Sequence, residues 1–260
     1  MPLYSTVCPL PINRKMFRHR GTSSPIPQSG LSLWLKADAG VTLSGSNVIA
    51  WADQSGNGNN AQPIDDSPIF ISNAINTKPA IQLSDFSTSR AFTISSNPLG
   101  ASGSTAFCVV YVDDVCSEGN DNGPVFGNFG STIDDEIEIQ THYPYGPDCT
   151  VYDAFATTTR KNSLTTPVTI TNAWSLYSVH STNDEWKDYV NGQLMYSDTT
   201  NVYNSSVGGD DATLYIGKQT GTGTFYIKGK VAEAIVYSRV LTTEERQQVE
   251  AYLNTKYAIY

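Results

Sequence analysis

Residues 186–196 predict a β-hairpin, because an Asn-Gly pair separates two strand-like runs: Trp186-Lys-Asp-Tyr-Val190, Asn191-Gly192 and Gln193-Leu-Met-Tyr196. Asparagine and glycine both tolerate the positive φ of a tight type I′ turn, and this pair is the strongest short signal for a hairpin. Upstream, Trp174-Ser-Leu-Tyr-Ser-Val-His180 alternates in polarity, which predicts a strand with one buried face. His180 takes an outward position in that strand, so we expect it at the surface.

The same reading extends over the rest of the chain. Ala106-Phe-Cys-Val-Val-Tyr-Val112 is an unbroken apolar run, which predicts a central strand buried on both faces. Further strand-like runs recur around residues 31–37, 48–51, 214–217 and 225–237, and turn residues separate them. This pattern is typical of an all-β chain with antiparallel strands.

One helix is predicted near the C-terminus. Thr242 and Glu245 have the spacing of a capping box, in which each side chain bonds a backbone donor of the first turn. Val249, Leu253 and Tyr257 then fall on one face. We therefore expect a helix that packs against the edge of the strands.

The charge divides the chain into an arm (residues 1–29) and a body (residues 30–260). Four of the 16 basic residues and none of the 25 acidic ones lie in the arm, so the net charge of −9 becomes −13 for the body. Five prolines and no hydrophobic period make the arm extended and non-helical. The acidic body should repel nucleic acid and anionic membranes, which leaves contact with either to the arm.

The basic arm is therefore a candidate anchor. Four cations would give only a weak, salt-sensitive contact with nucleic acid, whereas pre-extended chains dock on protein surfaces at a lower entropic cost. We expect it to bind an acidic surface of an assembly protein, and the predicted anchoring residues are Arg14, Lys15, Phe17, Arg18 and Arg20.

Export, membrane insertion and metal binding through cysteines are not expected. No apolar run approaches the ~20 residues of a membrane helix, and Pro9 and Pro11 interrupt the apolar start of the chain. The four cysteines form no CxxC pair. Cys108 is predicted to be a reduced core thiol, while Cys116 and Cys149 lie in polar segments and could pair.

Three segments follow one another along the body: Leu33-Trp-Leu-Lys-Ala-Asp-Ala-Gly40 with Val48-Ile-Ala-Trp-Ala-Asp-Gln-Ser-Gly-Asn-Gly-Asn-Asn-Ala61, Asp188-Tyr-Val-Asn-Gly-Gln-Leu194, and Lys228-Gly-Lys-Val-Ala-Glu-Ala-Ile-Val-Tyr-Ser-Arg-Val-Leu241. Together they resemble the laminin G-like branch of the concanavalin A-like lectin/glucanase superfamily. The resemblance implies an antiparallel jelly-roll β-sandwich over residues 30–260, with one C-terminal helix behind it. It leaves the activity open, because this fold hosts lectins, glycosidases, adhesion modules and virion proteins.

Residues 135–140, Asp135-Glu-Ile-Glu-Ile-Gln140, resemble the active-site strand of laminarinase-type glucanases. Alternation would place Glu136, Glu138 and Gln140 on one face. A retaining glycosidase needs a nucleophile and a separate acid/base. Gln140 or Thr141 occupies the acid/base position, and neither side chain can serve as that acid/base. We therefore predict no catalytic residue and no enzyme activity.

Asp53-Gln-Ser-Gly-Asn-Gly58 begins like a calcium loop, with oxygen ligands at Asp53, Ser55 and Asn57. It lacks the bidentate glutamate that would stand at position 64, where isoleucine is found. We expect a turn in which the side chains bond backbone donors, with a structural calcium ion as the alternative. No other metal or cofactor is expected.

Tyr143, Tyr145 and Asp148 form an aromatic, polar segment that could bind glycans. Tyrosine rings stack on the C–H faces of sugars, and polar side chains bind the hydroxyl groups. Such loop tyrosines also cap sandwich ends or line contacts in homo-oligomers. Both interpretations remain open.

These features lead to a functional expectation. An acidic sandwich with a basic arm and no export signal resembles bacteriophage virion components, namely capsid decoration proteins, head fibres or tail-associated adhesins. We expect a non-enzymatic structural or binding protein at the virion surface, with assembly proteins and host-surface glycans as partners. The alternatives are a lectin-like carbohydrate-binding module and a glycoside hydrolase.

Overall fold

The structure, a computed structural model, describes residues 24–85, 87–94, 96–113, 123, 125–128, 139–140, 143–145, 150–153, 155–159, 161–163, 171–205, 214–219 and 225–260. These residues contain short strands followed by one helix, as the sequence predicts. The strands are β1 (Leu31–Lys36), β2 (Val41–Ser44), β3 (Asn47–Trp51), β4 (Ala61–Asp65), β5 (Ile69–Ile75), β6 (Lys78–Gln82), β7 (Arg90–Ile94), β8 (Gly103–Val112), β9 (Phe126–Asn128), β10 (Ile139–Gln140), β11 (Tyr143–Tyr145), β12 (Thr150–Asp153), β13 (Lys161–Ser163), β14 (Trp174–Thr182), β15 (Glu185–Val190), β16 (Gln193–Asp198), β17 (Leu214–Ile216), β18 (Lys218–Gln219), β19 (Phe225–Tyr226) and β20 (Gly229–Tyr237), and the helix is α1 (Thr243–Tyr257).

The fold is an antiparallel jelly-roll sandwich, as predicted. Its main path of paired strands runs β10-β9-β17-β7-β4-β3-β5-β6-β20-β8-β14-β15-β16. We call its second half, from β6 to β16 with β1 beside β20, the helix-side sheet, and its first half, from β10 to β3 with β2 beside β3, the far sheet. Separate small sheets are formed by β11-β12-β13 and by β18-β19.

The sandwich core lies between the two sheets and is built from large aromatic residues. Trp51 of β3 and Phe92 of β7 are fully buried, with ring centroids 5.4 Å apart. Trp186 of β15 is fully buried in the same cluster from the helix-side sheet. Apolar faces of both sheets thus meet in one core, which is the main source of stability in a sandwich.

A second core covers the other face of the helix-side sheet. Cys108 and Val110 of β8 point into the sandwich core, whereas Phe107 and Val109 pack against the helix. All four are fully buried, which confirms the prediction of a central strand buried on both faces. Cys108 is a free buried thiol, and burial raises its pKa.

Helix α1 begins as predicted and packs differently. Thr242 and Glu245 form a complete capping box, and the predicted face of Val249, Leu253 and Tyr257 is fully buried. The expected contact with the sheet edge is wrong, because these side chains lie on the outer face of the helix-side sheet. The helix adds a third layer. It has 15 residues and is neither long nor apolar enough to cross a membrane, and it is the one helix in the part of the chain described.

The third layer also corrects the prediction for His180. The hairpin of β15 and β16 has its type I′ turn, with φ of 51° at Asn191 and 74° at Gly192. His180, in the neighbouring strand β14, faces outward from the sandwich as expected, but it is only 8% exposed. Alternation identified the face correctly, and the helix layer covers that face.

The last residues of the predicted arm lie on the folded domain. Ile26 is 1% exposed in the core beneath α1. The backbone oxygen of Pro27 accepts a hydrogen bond from Tyr237 (3.0 Å), and that of Ser29 accepts one from Arg239 (2.8 Å). Residues 1–23, with all five predicted anchoring residues, lie outside the described residues.

Candidate functional site

Most of the sites predicted from sequence lie outside the described residues or in strands of which only the backbone is described. Tyr143 and Tyr145 belong to β11, whose backbone pairs with β12, while Asp148 lies outside the described residues. Gln140 pairs with Gly127 through the backbone of β10, and residues 135–138 lie outside the described residues. Cys116 and Cys149 are also outside them. The glycan-binding, catalytic and pairing predictions for these residues therefore stay predictions.

The loop of Asp53 adopts the expected turn. Its Oδ1 accepts hydrogen bonds from the backbone nitrogens of Trp34 (2.9 Å) and Ser55 (2.8 Å). Its Oδ2 accepts from the Ser55 hydroxyl (2.6 Å) and the Asn59 backbone (3.1 Å). Both carboxylate oxygens thus hold the chain itself. Within the described ranges no group of three or more His, Cys, Asp or Glu residues could hold a metal ion, and the calcium alternative stays a prediction.

A different group of side chains lies on the outer face of the helix-side sheet. Strand register places Trp174 of β14 opposite Tyr111 of β8, Tyr111 opposite Lys230 of β20, and Lys230 opposite Gln82 of β6. Residues directly opposite each other in antiparallel strands project from the same face. The four side chains therefore form one line across four strands, which we call the aromatic row.

The aromatic row lies on the same face as α1 but beyond its cover. Two residues before Tyr111, Val109 is fully buried under the helix, and two residues after Trp174, Leu176 is fully buried there too. Tyr111, Trp174 and Lys230 themselves are half-buried. The sheet face that is buried under α1 thus continues into the aromatic row, where its side chains are partly exposed to solvent.

The two aromatic rings form a corner. The ring centroids of Tyr111 and Trp174 lie 5.6 Å apart with an angle of 63° between the planes. Lys230 Nζ lies 4.3 Å from the Tyr111 centroid, within range of a cation–π contact. Gln82 Nε2 donates to the backbone oxygens of Gly229 (2.9 Å) and Ser84 (3.2 Å), which fixes the amide. The row offers ring faces, a cation and an oriented amide.

The charge of Lys230 is not neutralised by a neighbouring acid. Among the described residues no carboxylate lies within ion-pair distance of it, whereas Lys218 binds Asp65 (2.9 Å) and Lys256 binds Glu233 (2.8 Å). Lys36 has the most similar surroundings, because its Nζ also lies over an aromatic ring, 4.4 Å from the Trp34 ring centroid. An unpaired ammonium group on an acidic body is available to an anionic ligand.

Two open depressions lie elsewhere. One of about 410 Å³ lies on the exposed side of α1 and includes Tyr252, Gln248 and Lys256 in its lining. Another of about 310 Å³ lies beside β2 and includes Gly40, Leu43 and Phe70. In neither of these two do a pair of carboxylates meet, so neither has the arrangement of a retaining glycosidase. The aromatic row differs from both depressions in its lysine, because no carboxylate of the described residues lies within ion-pair distance of Lys230, whereas Lys256 binds Asp38 and Glu233.

Comparison with family models matches residues 76–245 to the laminin G family whose description is "Concanavalin A-like lectin/glucanases superfamily". The chain belongs to this family. The match includes all of the aromatic row. A comparison with curated proteins finds no match for this laminin G-like domain.

Solved structures show the same fold at low sequence identity. Domain 4 of AbnA, a GH43 extracellular arabinanase from Geobacillus stearothermophilus solved with arabinotriose, has a TM-score of 0.59 and 15% identity, over 86% of this chain and 98% of that one. Trypanosoma rangeli sialidase with sialic acid has a TM-score of 0.62 and 14% identity, over 89% of this chain and 34% of the sialidase. The receptor binding domain of botulinum neurotoxin mosaic serotype C/D has a TM-score of 0.55 and 15% identity, over 86% and 51%. This domain thus spans about a third of the sialidase and half of the toxin domain.

The sequence carried only part of the signal for the aromatic row. Trp174 and Tyr111 were each visible as aromatic residues near strand ends, but nothing local placed them together. Their contact depends on the register between β8 and β14, and these strands are separated by about sixty residues of chain. Register is fixed by burial and turn geometry rather than by the paired residues themselves.

Proposed function

We propose that this laminin G-like domain is a non-catalytic glycan-binding module and that the glycan lies across the aromatic row. The observation that supports this most is the corner formed by the half-buried rings of Tyr111 and Trp174. A sugar presents C–H groups on its faces and hydroxyls at its rim. The rings match the faces, and Gln82 and Lys230 match the rim.

The partial exposure of the rings supports a binding role over a purely structural one. Fully burying a large apolar side chain contributes roughly 1.5–3 kcal/mol relative to leaving it exposed. Phe107 and Tyr237, on the same sheet face, make a ring contact with centroids 6.3 Å apart and are fully buried. The Tyr111–Trp174 pair forgoes part of that gain, which is typical of aromatic residues that receive a ligand.

The names of structurally similar proteins agree with a carbohydrate ligand. The arabinanase domain was solved with arabinotriose and the sialidase with sialic acid. Another similar structure, with a TM-score of 0.51 and 13% identity, is described through the interaction of botulinum neurotoxin type C with two ganglioside molecules. At these identities the likeness is one of fold, and it supports the proposal by analogy only.

The non-catalytic part of the proposal rests on residues 135–140. The segment that resembles a glucanase active site carries Gln140 or Thr141 where a protonatable group is needed. Neither an amide nor an aliphatic hydroxyl can give and recover a proton at a useful pKa. Incubation with β-glucans and arabinans, followed by a reducing-end assay, should show no release above a heat-treated sample, and turnover would refute this part.

A glycan array followed by calorimetry on the best ligand tests the binding role. Trp174→Ala and Tyr111→Ala should each weaken binding at least tenfold, or about 1.4 kcal/mol. Tyr215→Ala is the matched control, because Tyr215 is also a half-buried strand tyrosine beside a lysine, with Lys218 Nζ 5.7 Å from its ring, but in the far sheet. Equal affinity in the Trp174 variant and the wild type would overturn the proposed site.

We further propose that the domain is displayed on a virion, with residues 1–23 as its anchor. The support is the charge difference between the basic, proline-rich arm and the acidic body. Deleting residues 1–23 leaves Ile26 in its core position, so the truncated protein should fold with an unchanged melting temperature. It should lose incorporation into phage particles, and full incorporation would refute the anchoring role.

A further inference from the structure

We infer that the glycan is acidic and that Lys230 holds a carboxylate group of a sugar acid. This inference rests on the proposed function, because it uses the same row of side chains. It adds the chemical class of the ligand, which ring stacking alone does not select.

The position of Lys230 is defined without an acidic partner. Its Nζ lies 4.3 Å from the Tyr111 ring centroid, and no carboxylate among the described residues lies within ion-pair distance. A cation–π contact holds the ammonium group in place but does not neutralise it, so the charge remains available. A carboxylate ligand would form a charge-assisted hydrogen bond there, which is roughly twice as strong as a neutral one.

The spacing of the row fits a sugar acid stacked on Trp174. Trp174 and Lys230 lie on strands on either side of β8, so their backbones are ~10 Å apart at the usual strand spacing. A sugar ring on the indole would direct its acid group across Tyr111 toward Lys230. The same row continues to Gln82, whose fixed amide can meet a hydroxyl beyond the acid group.

The charge of the whole domain opposes an anionic ligand, so the preference must come from a local cation. Outside residues 1–29 the net charge is −13, so an anionic ligand is repelled at long range from most of the surface. A site for an acidic sugar therefore needs a local cation without an acidic neighbour. Among the described lysines, Lys161, Lys187, Lys218 and Lys256 are all bound to carboxylates.

The experiment compares an acidic oligosaccharide with the same compound after its carboxylates have been reduced to alcohols. The acidic ligand is the best-bound uronic or other sugar-acid glycan on the array, and calorimetry gives both dissociation constants. The wild type should prefer the acid about tenfold. Lys230→Met should remove this preference, so that the variant binds the acidic and the reduced ligand with equal affinity.

Two variants separate the possible failures. Lys36→Met is the matched control, since it removes the same charge from a lysine that also lies over an aromatic ring, and it should keep the preference. Trp174→Ala should weaken the binding of both ligands. If the Trp174 variant loses binding but the wild type binds both ligands equally, the acidic class is refuted and the proposed function stands. If no glycan binds, or the Trp174 variant binds normally, both are refuted.

Discussion

Replacing Glu233 should weaken the attachment of helix α1 to the sheet. The side chain is fully buried, and its carboxylate accepts hydrogen bonds from four donors. Oε1 accepts from Trp34 Nε1 (2.5 Å) and the Tyr252 hydroxyl (3.1 Å). Oε2 accepts from Lys256 Nζ (2.8 Å) and the Tyr257 hydroxyl (2.8 Å). Three of these donors belong to the helix.

The size of the effect follows from what Glu233→Ala leaves behind. Removing one member of a buried ion pair costs about 3–5 kcal/mol, because the remaining charge and donors stay buried without their acceptor. Lys256 would retain Asp38 at 2.9 Å, which places the expected loss near the lower end. Glu233→Gln keeps an acceptor oxygen but loses the charge, so we expect about 1–3 kcal/mol.

Urea unfolding at neutral pH, followed by tryptophan fluorescence and circular dichroism, measures both values. The midpoint should shift at constant slope if the native fold is kept. Glu244→Gln is the control, since it removes an exposed acid from the first turn of the same helix and should leave stability nearly unchanged. A loss below about 1 kcal/mol for Glu233→Ala would refute the assigned role of this carboxylate.

Three further predictions concern the sheets. Burial lowers the pKa of His180 below its ordinary 6.5, so the unfolded chain binds the proton more readily than the folded chain. The free energy of unfolding should therefore fall as the pH drops below about 6.5. In the His180→Gln variant, the urea midpoint should depend less on pH between pH 7 and 5. Gly192→Ala should cost about 1–2 kcal/mol in the same assay, because φ is 74° and a Cβ would lie 3.2 Å from the Tyr260 hydroxyl oxygen. Burial raises the pKa of the Cys108 thiol, so its alkylation, followed by peptide mass spectrometry, should occur only at the rate of unfolding; rapid labelling of the native protein would contradict the packing of β8.

The features predicted correctly are those that depend on local chemistry. Asn191-Gly192 specifies its turn because few residues accept positive φ, and Thr242 with Glu245 specifies the helix start because the two side chains bond each other's backbone. The burial of β8 on both faces was readable from its unbroken apolar run. Each of these signals is contained within a few consecutive residues.

The features that were missed depend on how distant segments pack. His180 alternates like a surface residue, but Arg246 of α1 and Glu185 of β15 lie near it and it is buried. The aromatic row requires the register of β14, β8, β20 and β6 at once, and no short window of sequence contains it. Periodicity gives the face of a strand, but a third layer and a shared register are properties of the folded chain.

The end of the helix connects the second core to the proposed binding site. Tyr257, the last residue of α1, donates to Glu233 beside the buried part of β20, and Lys230 lies three residues earlier in the same strand. The helix stops at Ala258, whose φ is 52°, and Asn254 then bonds the backbone nitrogens of Ile259 (2.9 Å) and Tyr260 (3.0 Å). The left-handed conformation of Ala258 and these bonds end the helix. One sheet face therefore forms a core under α1 and leaves its last row of rings half-buried, so the length of the helix determines how much of this face stays open to the proposed ligand.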